Sequence, residues 1–105
     1  MAMTNTDAIQ VAVRRILESE QPKSIYLFGS QARGDQSEES DIDLLIEDDT
    51  DLSMSERYSR YRRLLRGMRR PFDLLIYTSE ELEERRKDKY SVAHTALKEG
   101  VKLHG

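Results

Sequence analysis

Three carboxylates and a Gly-Ser pair carry the chemistry open to this sequence. Asp41 and Asp43 stand at i and i+2, opening an apolar run that reaches Ile46. On a strand such residues share one face, with Cα atoms roughly 6.6 Å apart. Their heads can lean together over one divalent cation, or over a pair roughly 3.5–4 Å apart. Hard oxygen ligands suit Mg²⁺, which prefers to be shared between carboxylates and substrate phosphates. Upstream, the apolar run Ile25 to Phe28 stops at Gly29-Ser30, ten residues before Asp41. Gly29 lets the chain turn without a Cβ penalty, and Ser30 stands where a short helix needs its N-cap. Free N–H groups and one hydroxyl at such a turn suit a phosphate. A phosphate cradle and a metal perch, each at a strand end, predict metal-assisted nucleotide chemistry.

Four fixed positions of this kind match by chance about once in 50,000 placements at average residue usage. That weighs against a mere Gly-Ser turn beside a solvated acidic edge. Gly29-Ser30, ten residues, then Asp41-x-Asp43 resembles the signature of the minimal nucleotidyltransferase family, in the polymerase-β-like superfamily. Ala32-Arg33-Gly34-Asp35 and Ser40-Asp41-Ile42-Asp43-Leu44 match its usual phrasing, and the likeness runs from Ile25 to about Tyr77. The family expects a third carboxylate on a later strand, and Asp73 in Arg70-Pro71-Phe72-Asp73-Leu74-Leu75-Ile76-Tyr77 stands in that place. The resemblance implies an α+β (mixed α/β) nucleotidyltransferase fold, with a small mixed sheet flanked by helices. It implies Mg²⁺ held by Asp41, Asp43 and Asp73 as the catalytic and metal-binding set, with Asp73 also able to receive the acceptor's proton. ATP is the implied substrate, its β- and γ-phosphates gripped by Gly29 and Ser30, with Arg33 a weaker candidate for the same task.

Larger relatives in that superfamily carry extra domains that bind the acceptor. Residues 78–105 are too few for one, so the acceptor is expected on another protein. The resemblance implies a type VII-like antitoxin that moves AMP from ATP to a tyrosine of a HEPN-domain RNase toxin, within a hetero-oligomer. Two alternatives stand beside it. One is a non-catalytic antitoxin that works by covering its toxin; the other is a small-molecule nucleotidyltransferase with an acceptor cleft between two copies. His94 and His104 are the only histidines, neither sits near a nucleophile elbow, and no Walker-type Gly-Lys-Ser/Thr loop is present.

The elements that must position these groups belong to a chain of 105 residues, expected to form one domain over 1–105 with a modest core. Charged residues make up 35% against a typical ~25%, and apolar residues 37%, so the core is thin and a partner-completed face is favoured. With no cysteine there is no disulfide frame and no thiolate metal site. No apolar stretch approaches the ~20 residues of a membrane span, and the N-terminus lacks a signal-peptide pattern; a cytoplasmic protein is expected. The net charge of −3 hides a segregation: residues 35–51 hold nine acids and no Lys or Arg, residues 57–70 seven Arg and no acid. The acidic block repels nucleic acid, so none is expected to bind directly. The Arg block suits phosphate or an acidic partner.

Apolar spacing predicts a helix over 4–20, capped by Asn5 or Thr6, with Ile9, Ala12, Val13, Ile16 and Leu17 inward. Strands follow at 24–28, 41–47 and 72–77, with one helical turn over 30–33 and a polar loop over 36–40. Ile42, Leu44 and Ile46 point to one face of the second strand, and Asp41, Asp43, Leu45 and Glu47 to the other; Glu47 is read as surface. The acidic turn 48–51 is expected to cap a helix over 53–68 whose core stripe is Met54, Tyr58, Tyr61, Leu65 and Met68, with the arginines solvated. Helices near 79–89 and over 91–99, the latter stopped by Gly100, precede a short edge strand at 101–103.

Overall fold

The computed structural model describes residues 4–34 and 41–105; the loop expected over 36–40, with the motif residues Asp35 and Ser40, lies outside them. Helix α1 (Asn5–Ser19) falls within the span expected, but Thr4 rather than Asn5 or Thr6 is the N-cap, and its hydroxyl accepts from the Asp7 N–H at 3.1 Å. Its buried stripe is Ala8, Ala12 and Ile16, with Ile9 and Val13 half-covered and Leu17 left 39% exposed. The two alanines take the most buried positions, so the larger Ile9, Val13 and Leu17 of the predicted stripe lie toward its edge.

Strands β1 (Ser24–Phe28), β2 (Ile42–Glu47), β3 (Phe72–Tyr77) and β4 (Val101–His104) form one sheet in the order β3-β2-β1-β4. β1 is antiparallel to β2 and to β4, whereas β2 and β3 run parallel. A parallel pair needs a crossover, supplied here by α3 (Met54–Leu64). Alternation along the strands divides the core in two. Ile25, Leu27, Ile42, Leu44, Ile46, Leu74 and Ile76 meet α1 and α3. Leu45, with Tyr26, Phe28, Leu75 and Tyr77, meets α4 (Ser79–Arg86) and α5 (Val92–Glu99) through Leu82, Ala93 and Ala96. The mixed sheet with helices on both faces is the α+β architecture expected.

The crossover helix differs most from expectation. It is capped by Ser53 in a reciprocal box with Glu56, not by the acidic turn. The acids of that turn have other partners: Asp48 accepts from the Tyr61 hydroxyl at 2.6 Å, and Asp49 from the Ser79 N–H at 2.8 Å. Met54 and Tyr58 are 45% and 44% exposed, while Arg57 is buried beside Tyr61. The Arg57 guanidinium donates to Leu52 O at 2.8 Å and to Glu81 Oε1 and Oε2 at 2.6 and 3.3 Å. Glu81 in turn closes the capping box of α4 with Thr78, so one ion pair ties α3, the end of β3 and the start of α4 together. The Arg57 hydrogen bond holds the Glu81 carboxyl below its ordinary value.

Two smaller differences concern strand ends. Glu47 is half-buried and accepts from the Ser24 hydroxyl at 2.8 Å, so it is a structural group at the far end of β2 and not free surface. Gly100 ends α5 without a left-handed turn: a Cβ there would lie 2.2 Å from Ala96 O and 2.7 Å from Leu27 O, so glycine is required by the close approach to β1.

Arg57→Ala should cost about 2–3 kcal/mol in urea unfolding, less than a fully buried pair because Glu81 keeps some water. Arg62→Ala should stay within about 0.5 kcal/mol. Because Glu81's pKa is lowered on folding, the wild-type advantage over Arg57→Ala should be present above the ordinary carboxylate range and fade as pH falls through the depressed value. Equal costs for the two arginines would show that Arg57 is not buried as described.

Candidate active site

The predicted site residues gather at one end of the sheet, where β1 ends and β2 and β3 begin. Each arrives by a different local cause. β1 stops after Phe28 because Gly29 takes φ 73° and ψ −153°, a backbone region that side chains with a Cβ hardly enter. One helical turn follows, α2 (Ser30–Arg33), closed by the left-handed Gly34. Gly29, not Ser30, is the N-cap; Ser30 is the first residue of the turn, and its hydroxyl makes no hydrogen bond among the described residues. Asp41 is exposed just before β2, fixed by the Ile42 N–H donating to Pro71 O at 2.9 Å.

Register does the rest. Asp43 pairs with Phe28 across the antiparallel β1–β2 ladder and with Asp73 across the parallel β2–β3 ladder. Thirty residues apart in sequence, the two aspartates are neighbours about 4.8 Å apart in the hydrogen-bonding direction. Their side chains lie on the face of Leu45 and Leu75, opposite Ile42, Leu44 and Ile46, as the alternation predicts. Gly29 lies against this pair: a Cβ built on it would stand 2.1 Å from Asp43 Oδ2. The glycine therefore serves the carboxylate as well as the turn. The sequence showed both the turn and the carboxylate; their contact depends on strand register and has no local signal.

The charges are strained. Asp43 is half-buried, and its pKa is raised first by burial, then by the neighbouring Asp73 and Asp41; Arg33 at the end of α2 pulls it partly back. Among the described residues no three acidic, histidine or cysteine side chains close into a ready-made metal cage. The donor set nevertheless fits Mg²⁺, which is commonly held by one or two carboxylates plus substrate phosphates. Mutually repelling oxygens, one of them filling the space a glycine vacates, are a place where a cation relieves charge. Gln31 of α2, which the sequence did not single out, adds a buried amide nitrogen that has no hydrogen-bond partner among the described residues. Such a donor costs ~1–3 kcal/mol unless an oxygen reaches it. An open cleft of about 550 Å³ between the end of α1 and one side of α3 touches none of the candidate residues.

A four-stranded mixed sheet with carboxylates on adjacent strands beside a Gly-Ser turn defines the nucleotidyltransferase class of fold. The polymerase beta nucleotidyltransferase family model matches residues 12–104, and the chain belongs to that family, as a minimal member. It is 44% identical over 54 residues to MJ1379 of Methanocaldococcus jannaschii, a candidate protein adenylyltransferase, covering 51% of this chain and 52% of that protein. A second candidate protein adenylyltransferase of that organism, MJ0604, is 69% identical over 29 residues, covering 28% and 29% of the two chains. The chain thus spans about half the length, or less, of the curated relatives it matches. Among solved structures, a toxin–antitoxin with AMP-PNP superposes with a TM-score of 0.66 at 22% identity, over 91% of this chain and 72% of that one. A candidate nucleotidyltransferase from Sulfolobus solfataricus gives 0.58 at 22% identity, over 98% and 90%. These two likenesses bear on the fold.

Two outcomes check the geometry. Asp43→Asn should raise the thermal midpoint at pH 7 in metal-free buffer. A raised folded-state pKa means that the ionised form is disfavoured by folding, so the gain should vanish as pH falls below the ordinary aspartate value of ~3.9. A gain that persists at low pH would assign it to packing instead. Gly29→Ala should cost ~1–3 kcal/mol through its backbone angles alone. Part of any further loss should return in the Gly29→Ala, Asp43→Ala double variant, because the collision partner is gone.

Proposed function

We propose that this chain, as a single domain over residues 1–105, transfers AMP from ATP to a tyrosine of a cognate HEPN-domain toxin in the cytoplasm. The observation that carries this reading is the register that sets Asp43 beside Asp73, with Asp41 and the Gly29-Ser30 turn at the same sheet end. The names of MJ1379 and MJ0604, and a toxin–antitoxin among the structural neighbours, support the choice of a protein acceptor.

Each residue has a separable task. The Gly29 and Ser30 backbone and the Ser30 hydroxyl bind the β- and γ-phosphates, and Arg33 adds positive charge on that side. Asp41, Asp43 and Asp73 hold Mg²⁺, which when bound supplies charge neutralisation for the triphosphate and the leaving pyrophosphate. The tyrosine oxygen attacks the α-phosphorus, the bond to the β-phosphate oxygen breaks, and pyrophosphate leaves. Asp73, the exposed member of the strand pair, takes the tyrosine proton. Positioning and charge compensation account for the rest of the catalysis. No helix among the described residues is long and apolar enough to cross a membrane.

The test uses Asp41→Asn with Asp43→Asn. Wild type and variant are incubated with ATP, Mg²⁺ and the toxin, which is then weighed intact and assayed for RNase activity after separation. Wild type alone should leave an AMP adduct and lasting inactivation, while both proteins still bind the toxin. A toxin that stays unmodified yet is silenced equally by both while bound would replace the enzyme by a covering antitoxin.

A further inference from the structure

We infer that the arginines at the end of α3 form the docking surface for the acceptor, and that the acceptor presents an acidic protein segment to it. The inference rests on the transfer reaction proposed above and names the chemistry of its second substrate.

Six of the seven arginines of residues 57–70 separate into two groups in the structure, and the seventh, Arg70, is half-buried with a partner. Arg57 is buried against Glu81, and Arg60 is paired with Glu20. Arg62, Arg63, Arg66 and Arg69 are exposed and form no ion pair with any described residue. Within residues 57–70 there is no acid to balance them. Their backbone is held firmly: Arg15 of α1 donates to Leu64 O and Arg66 O at 3.4 and 2.9 Å, closing the end of α3. Four guanidinium groups without an ion pair among the described residues, two in the last turn of α3 and two just beyond it, are an unbalanced charge that an anionic surface would neutralise.

Their place in the chain ties them to the site. Arg69 precedes Asp73 by four residues, a span of at most ~14 Å even when fully extended. Pro71, between them, accepts from the Ile42 N–H beside Asp41 and Asp43 at 2.9 Å. An anion held at Arg66 and Arg69 therefore lies within a few residues' reach of the carboxylates.

An acidic protein segment fits better than a nucleic acid. Asp41, Asp43 and Asp73 stand at the sheet end to which Arg66 and Arg69 lead and repel a long polyanion running across it, whereas a short segment can keep its acids on the arginines. Single-strand binding also uses exposed aromatic platforms. The exposed aromatic of this helix, Tyr58, lies under the Arg62 guanidinium, whose carbon is 5.9 Å from the ring centre. A short acidic segment with a tyrosine can engage the arginines and still hand a neutral hydroxyl to the site.

The probes are fluorescent tyrosyl peptides, one flanked by Glu and Asp, one of the same length flanked by Ser and Gly, and one by Lys and Arg, with a single-stranded RNA of matched charge. Anisotropy with ATP and Mg²⁺ present reads docking without requiring transfer. The acidic peptide should bind at least about tenfold more tightly than the Ser-Gly peptide at low salt, as expected for several exposed ion pairs, and the preference should collapse at high salt. Arg66→Glu with Arg69→Glu should abolish the preference while leaving ATP binding and the thermal midpoint unchanged; Arg66→Lys with Arg69→Lys should retain most of it. Equal binding of acidic and Ser-Gly peptides, a preference for the basic one, or tighter binding of the RNA would each overturn the inference. Docking of the acidic peptide with no AMP on its tyrosine would leave the docking surface standing and count against the transfer reaction.

Discussion

The structure turns on a repulsion that it does not relieve. Parallel pairing of β2 with β3 sets Asp43 directly beside Asp73, and the turn at Gly29 closes the space behind Asp43. Burial and two like charges raise the Asp43 carboxyl, with Arg33 a partial counterweight. A sequence selected for stability alone has little reason to keep acids at adjacent strand positions, because opposite or apolar pairs hold a sheet better. The cost is understandable where a cation and a triphosphate complete the charge balance during function.

The remaining structure keeps those carboxylates from moving apart. Apolar side chains on the other face of β2, Ile42, Leu44 and Ile46, are fully buried under α1 and α3. At the far end of the sheet the polar groups are matched: Ser24 with Glu47, Tyr61 with Asp48, Ser79 with Asp49, and Arg57 with Glu81. The contrast between the two ends is informative. Acids at the closing end of β2 have donors, whereas those at its opening end face each other. The Arg57–Glu81 pair also ties the first turns of α3 and α4 together at the closing end of β3.

Much of this was legible in the sequence, and the misses have a common cause. Apolar alternation gave β1, β2 and β3 within a residue, and the Gly-Ser and Asp-x-Asp spacings led to the family now matched over residues 12–104. Alternation also placed Asp43 and Ile42 on opposite faces. Tyr61, Leu65 and Met68 lie in the core as expected, but Met54 and Tyr58 were misread because a 3.6-residue period leaves Met54/Tyr58 and Arg57/Tyr61 as adjacent stripes. What chose between them was Glu81, twenty-four residues away from Arg57. The caps at Thr4 and Ser53 were missed in favour of nearby polar residues of equal propensity. The exclusion of a Cβ at Gly29 by Asp43 is likewise a contact between elements, beyond any local pattern. Local chemistry was readable; pairings across the fold were not.

The central claim is that Asp41, Asp43 and Asp73 form the cation site, and a paramagnetic probe tests it most directly. Trace Mn²⁺ added to isotope-labelled protein with a non-hydrolysable ATP analogue broadens backbone amide signals near the ion in an NMR spectrum. The account predicts broadening centred on Asp43, Asp73 and the Gly29-Ser30 turn, and its loss in the Asp43→Asn variant. Broadening centred on Asp48, Asp49 and Asp51 at the opposite end of β2, with the Gly29 and Asp73 signals unchanged, would contradict it.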